Sequence, residues 1–294
     1  MILARVSVRV VSRPSPSFVR VELGGRDLAD FGVDGPLYDQ RIKLVLPGPT
    51  GLPDLDPDRW WTDLQALPPE ERAHVRTYTV ADVHGQGAGT TIVVDVVLHP
   101  GEHGPGSAWA AGARPGDEVL AVVPRRGHAF GGIEFQPGGA DRVLLVADET
   151  ALPAVVQILR ELPGGVSGSV FVEVPLGADV PDLPPPPGVT ITWLPRNGRP
   201  VGAAAVAAVS AHLGFHAEEV ADESVDPDVW ETPTYSSSGE EVGAAAVADG
   251  RYAWIAGESA MVTTLRRHLV GRLGMPRSQV AFMGYWRQGV AMRG

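Results

Sequence analysis

Through roughly the first 125 residues, apolar positions come in short runs that alternate with polar ones or are rich in Val, Ile and Thr. Val6-Ser7-Val8-Arg9-Val10, Phe18-Val19-Arg20-Val21-Glu22-Leu23, Ile42-Lys43-Leu44-Val45-Leu46 and Thr91-Ile92-Val93-Val94-Asp95-Val96-Val97-Leu98 are each set off by Gly and Pro. Runs of this length and spacing predict the strands of a small antiparallel barrel. Residues 54–72 interrupt the pattern with a polar, Trp-containing connection, and Leu67-Pro68-Pro69 argues against a continuous strand there. Pro115-Gly116-Asp117 predicts a turn before the strand Glu118-Val119-Leu120-Ala121-Val122-Val123.

Near residue 140 the period changes. Arg142-Val143-Leu144-Leu145-Val146-Ala147 reads as a buried strand, followed by a helix to Leu162 that Pro163-Gly164-Gly165 would stop. Further strands are expected at 170–174, 189–194, 252–257 and 280–285, with helices at 202–213 and 259–273. Strands alternating with helices argue for an α/β domain with a parallel sheet. The expected organisation is thus two domains, an antiparallel β-barrel over 1–130 and an α/β domain over 140–294, with the boundary between about 125 and 142. Residues 217–242 carry nine carboxylates and no hydrophobic period. They read as a solvated loop, with an acidic lid or partner-binding segment as the other reading.

Composition narrows the chemistry. The 294 residues carry a formal charge of −11, which opposes nucleic acid or an anionic membrane surface as the main partner. Lys43 is the single lysine, and the chain has no Cys, so a disulfide, a thiolate nucleophile and a cysteine-held iron–sulfur cluster are excluded. The eight histidines lack the compact spacing of a permanent metal site. The N-terminal run reads as a strand rather than a signal peptide. No segment reaches the roughly 18–20 apolar residues of a membrane span, so the expected location is cytoplasmic.

The candidate chemistry starts at Arg76-Thr77-Tyr78-Thr79, with a second segment at Gly104-Pro105-Gly106-Ser107-Ala108-Trp109. The Arg offers a fixed donor fork, the Tyr an aromatic face and the Thr a hydroxyl. The glycines allow backbone amides to approach a ligand. A flat, oxygen-rich anion such as a flavin dinucleotide fits this set better than a metal or a nucleic acid. His99, just past a strand, reads equally as a ligand contact or a polar turn residue. Ala147-Asp148-Glu149-Thr150-Ala151-Leu152-Pro153 lies where an open α/β sheet receives ligands, though it lacks Gly-x-Gly-x-x-Gly. Thr150 there is either a phosphate contact or a helix cap. Asp148 or Glu149 would meet a ribose or exposed amides.

These strings, RTYTV, VVLHPGEHGPGSAWAAGARPGD, LLVADETALPAVVQILRELP, YAWIAGESAMVTTLRRHLV and GYWRQG in that order, resemble the siderophore-interacting protein family of flavin-dependent ferric-siderophore reductases. The resemblance covers most of the chain. It implies a ferredoxin-reductase-like fold, with a flavin-binding barrel followed by a domain like those that bind pyridine nucleotides. It also implies FAD as cofactor, a ferric siderophore as substrate, and NADPH or NADH as donor, with ferredoxin the donor in some members. Carried over, Arg76, Thr77, Tyr78 and Thr79 would contact the flavin. His99, Gly106, Ser107, Ala108 and Trp109 would help hold the dinucleotide, and Asp148, Thr150 and Ala151 would approach it from the second domain. Gly257 and Glu258 would lie where nicotinamide is received, close backbone approach being the reason for the glycine. Lys43, Arg125, Arg126, Arg196 and Arg287 are candidates to attract an anionic iron complex, and Trp286 is a candidate to dock the tail. Two departures stand out. Ala81 replaces an Arg common in relatives, and Ala147 replaces the Gly that commonly precedes Asp-Glu-Thr. The alternatives kept open are a general NAD(P)H flavin reductase or diaphorase, and a non-catalytic siderophore-binding module.

Overall fold

A computed structural model of the chain describes residues 1–99, 104–215, 229–233, 235–236 and 250–290. The chain divides into two compact units between Ile133 and Glu134. In the first, β1 (Ile2–Ser15), β2 (Phe18–Gly24), β3 (Arg41–Leu46), α1 (Trp60–Ala66), β4 (His74–Thr79), β5 (Asp82–His84), β6 (Thr91–Val97), α2 (Pro105–Gly112) and β7 (Glu118–Val123) follow in order. The strands form one antiparallel sheet in the order β4-β3-β7-β1-β2-β6-β5. Its two edge strands, β4 and β5, are consecutive in the chain and joined only by Val80 and Ala81. The sheet must therefore curl until its edges approach, and the Ala81 amide donates to the Val93 carbonyl at 2.8 Å in that seam.

The alternation in the sequence sorts onto the two faces of this curled sheet. Ala4, Val6, Val8, Val19, Val21, Leu23, Ile42, Leu44, Ile92, Val94, Val119 and Ala121 pack into one core. On the other face Val45, Val75, Leu120 and Val122 meet Leu55, Trp60 and Leu64 from the 54–72 connection. That connection thus contains a helix, α1, whose two buried residues cover an otherwise exposed apolar strip.

The second unit runs β8 (Arg142–Ala147), α3 (Leu152–Glu161), β9 (Ser167–Val174), β10 (Val189–Pro195), α4 (Ala203–Leu213), β11 (Trp230–Thr232), β12 (Tyr235–Ser236), β13 (Arg251–Glu258), α5 (Ser259–Arg266) and β14 (Val280–Trp286). The strand order is β10-β9-β8-β13-β14-β11-β12. The first five are parallel, and β11 and β12 extend the edge antiparallel. The chain order of strands reverses between β8 and β13, the switch point beside which such sheets receive ligands.

Two expectations change here. The segment 217–242 was read as loop, yet Trp230–Thr232 and Tyr235–Ser236 are strands. Pairing with β14 and the ion pair from Arg266 to Glu231 at 2.7 Å hold that edge, and neither leaves a local period. The remainder, 217–228, 234 and 237–242, lies outside the described residues, as do 100–103. The helix expected through residue 273 is α-helical only to Arg266 and continues as a π-helix over Arg267–Arg272. Among the described residues, no helix is long and apolar enough to cross a membrane.

Candidate functional site

In the first unit the β3–β4 register decides which side chains can cooperate. Leu44 stands opposite Arg76 and Ile42 opposite Tyr78, while Lys43 stands opposite Thr77. Because successive residues of a strand face opposite ways, Arg76 and Tyr78 share one face. Thr77 and Lys43 share the other, joined by a 3.3 Å hydrogen bond from Lys43 Nζ to Thr77 Oγ1. The motif is therefore split by the pleat.

The second segment folds onto the Arg76–Tyr78 face. It is the start of helix α2, with Pro105 in the first turn and Gly104 at the cap position. Proline suits that position because its missing N–H is one of the amides that lack an intrahelical partner anyway. A Cβ on Gly106 would overlap the Tyr78 hydroxyl and lie 3.5 Å from Arg76 Cγ. Glycine is needed there so that the helix start can sit against both side chains. Other expected ligand groups turn inward: Ser107 Oγ donates to the Val97 carbonyl at 2.7 Å, and Trp109 packs on the barrel core. Thr79 is buried, and His99 lies half-buried just beyond β6.

This corner fits an anionic dinucleotide. It places a guanidinium, a phenol and a helix start together; among the described residues no side chain caps that start, which carries partial positive charge. Burial pushes the Tyr78 hydroxyl up to about 12, against the pull of Arg76, so it stays a neutral phenol. Ala81 is buried in the seam.

In the second unit the carboxyl edge of the sheet is built around Asp148, fully buried just past β8. One carboxylate oxygen accepts the Thr150 amide at 2.8 Å and its hydroxyl at 2.6 Å. The other accepts the Glu258 amide and Trp286 Nε1, both at 2.7 Å. One side chain thus ties β8, the β13–α5 corner and the end of β14 together. Burial first, and the neighbouring Glu149 charge second, push Asp148 up to about 7, against these donors.

The same carboxyl group explains Gly257. At φ 145° its missing Cβ would lie 2.6 Å from Asp148 Cγ, so the glycine makes room for a protein side chain. Glu258 caps α5, accepting the Ala260 and Met261 amides at 2.7 and 3.1 Å. Thr150 is not the cap of α3. That position is Ala151, buried and without a side-chain cap bond, and Thr150 instead closes a local turn with Asp148.

Beyond Asp148, Arg196 is 9% exposed and grips both oxygens of Glu149, with its Nη1 also 3.3 Å from Glu173. Burial opposes its charge, but the Glu149 hydrogen bonds and the two carboxylates hold it above the ordinary arginine range. As a substrate-attracting residue Arg196 is redirected: its guanidinium is engaged inside the protein. Glu173, which the sequence reading passed over, accepts the Gly202, Ala204 and Ala205 amides at 2.7, 3.0 and 3.0 Å. An acidic residue at the end of a buried strand was the signal that could have found it.

The remaining candidate cations lie on or beside different elements. Burial first, and Arg41 second, pull the Lys43 amine below its usual range. Arg125 and Arg126 are exposed just past β7. Arg287 is half-buried beyond β14 in a bridge with Val290. Trp254 is wholly buried in the sheet.

Residues 7–128 match the siderophore-interacting FAD-binding domain and residues 140–289 the siderophore-interacting protein family. An uncharacterized protein of Mycobacterium tuberculosis is 37% identical over 190 residues, 63% of this chain and 62% of its own length. The chain thus spans under two thirds of that relative. The ferric vibriobactin reductase ViuB of Vibrio cholerae is 27% identical over 94% of this chain and 86% of its own. The crystal structure of a siderophore utilization protein from T. fusca superposes with a TM-score of 0.70 at 31% identity, covering 98% of this chain and 94% of that one. A curled antiparallel sheet followed by a largely parallel one is the ferredoxin-reductase-like arrangement. With both units matched in order, the chain belongs to the siderophore-interacting protein family.

Proposed function

We propose that this chain is an FAD-dependent ferric-siderophore reductase that draws on NADH or NADPH and releases iron as Fe(II). The observation that carries the reading is the corner where Arg76 and Tyr78 meet the uncapped start of α2, inside the region matching a FAD-binding domain. Bound FAD would accept a two-electron hydride and supply electrons singly, the conversion that a one-electron iron centre requires. Arg76 and the first-turn amides of α2 would hold the diphosphate by charge-assisted bonds. Tyr78 presents a neutral ring to the flavin. Asp148 fixes the Gly257–Glu258 peptide, beside which nicotinamide would be received. Exposed Arg125 and half-buried Arg287 draw in anionic ferric chelates. Lowering the iron charge weakens its grip on hard oxygen donors and lets a softer acceptor take it. No acid, base or nucleophile is needed.

The test is anaerobic mixing of FAD-loaded protein with NADH or NADPH, then with a panel of ferric chelates. The expected result is bleaching by a nucleotide and much faster return of colour with ferric siderophores than with free flavin or quinone. Equal rates for all acceptors would point to a general flavin reductase. Protein that stays colourless with excess FAD would overturn the reading.

A further inference from the structure

In open α/β sheets of this order, an acid at the end of the second strand meets the ribose hydroxyls of a dinucleotide. A nearby arginine accommodates a 2′-phosphate, and helix N-termini hold phosphate. All three parts are present here. Glu173 lies near the end of β9, Arg196 directly follows β10, and the start of α4 stands next to both. Each is turned on the others. Glu173 is fully buried, with both oxygens accepting from the first turn of α4 and one of them also from Arg196. Arg196 Nη2 lies 2.7 Å from Glu149, itself 1% exposed. Arg199, the next cation along, donates from Nε and Nη2 to the carbonyls of Arg196 and Pro195.

The helix start is thus plugged from within by a carboxylate, and two carboxylates face one guanidinium. Arg196 therefore offers no free guanidinium to a ligand, and within the buried cluster its single charge faces two carboxylates. We propose that the Glu149–Arg196–Glu173 triad is a specificity device that turns the donor site against a 2′-phosphate, so that NADH is preferred over NADPH. The inference rests on the reading of the chain as a pyridine-nucleotide-dependent reductase. Glu149, Glu173 and Arg196 set the preference without touching the reacting atoms.

Two readouts separate this inference from that reading. In flavin bleaching, kcat/KM for NADH should exceed that for NADPH by about tenfold, a difference of about 1.4 kcal/mol, with the gap lying in KM. In calorimetry on the whole FAD-loaded protein, adenosine 5′-monophosphate should bind about tenfold more tightly than adenosine 2′,5′-bisphosphate. Glu173→Gln removes one charge while keeping the shape and should narrow both ratios. If that variant does not fold, the two wild-type ratios still decide. NADPH matching or exceeding NADH, or the bisphosphate binding as well as the monophosphate, overturns the proposal, as does no binding of either adenosine probe. Absence of bleaching by both nucleotides, with the monophosphate still preferred in calorimetry, defeats the donor reading and leaves the discrimination standing.

Discussion

The Arg76–Tyr78 corner and the carboxyl edge of the parallel sheet treat their polar groups in opposite ways. In the first, Arg76 makes one described hydrogen bond, to the carbonyl of its neighbour Val75 at 2.6 Å, and α2 begins without a side-chain cap. In the second, Asp148, Glu149, Glu173, Arg196 and Glu258 are all buried and bonded to one another or to helix amides. The first arrangement can give its donors to a ligand. The second uses them to hold strand ends in place, so it shapes a surface while leaving few groups to grip with. A motif residue on such an edge is as apt to be a brace as a contact.

The sharpest way to break this comparison is Arg196→Met, which leaves Glu149 and Glu173 buried without their cation. Stability in chemical denaturation should fall by about 3–5 kcal/mol. A change within about 0.5 kcal/mol would place Arg196 among ordinary surface groups.

Next in size is the pH dependence carried by Asp148. Its folded pKa lies above the unfolded value, so the folded state binds the extra proton between them. Its contribution to stability therefore falls as pH rises from about 4 toward 7. Relative to Asp148→Asn, which cannot titrate, the wild type should lose about 3 kcal/mol across that range, about three pKa units at roughly 1.36 kcal/mol each less what remains at pH 7. A flat difference in Tm between the two proteins would remove the effect.

Arg76→Ala should lower FAD affinity by about ten- to a hundredfold, the loss of one charge-assisted bond of roughly 1.5–3 kcal/mol, with little change in Tm. Titration of the apoprotein by flavin fluorescence measures it, and unchanged affinity would contradict the assignment. The smallest effect is expected from Thr77→Val. Thr77 is exposed on the face away from Arg76 and Tyr78, so FAD affinity should move by less than about threefold, under 0.7 kcal/mol. A loss as large as that from Arg76→Ala would mean the pleat does not divide the motif.

Much of the fold could be read locally. Val6 and Val8 alternate with Ser7 and Arg9 because one side of β1 is buried there, and α3 ends at Glu161, just before the Pro163-Gly164-Gly165 break. The short strand Trp230–Thr232 could not be read, because a distant strand and the Arg266 ion pair hold it. In the candidate site, Arg76, Tyr78 and Gly106 were legible as residue types suited to one ligand. That Thr77 faces away, that Ser107 and Trp109 turn inward and that Glu258 is a helix cap were not.

The sequence by itself determined the two-part plan, the want of thiol chemistry and the strings that mark the family, because hydrophobic period and residue chemistry are local properties. Only the tertiary structure decided which charges face a ligand and which face each other. The partners of Asp148 and Arg196 come from positions up to 138 residues apart, on separate strands whose ends meet only once the parallel sheet has formed.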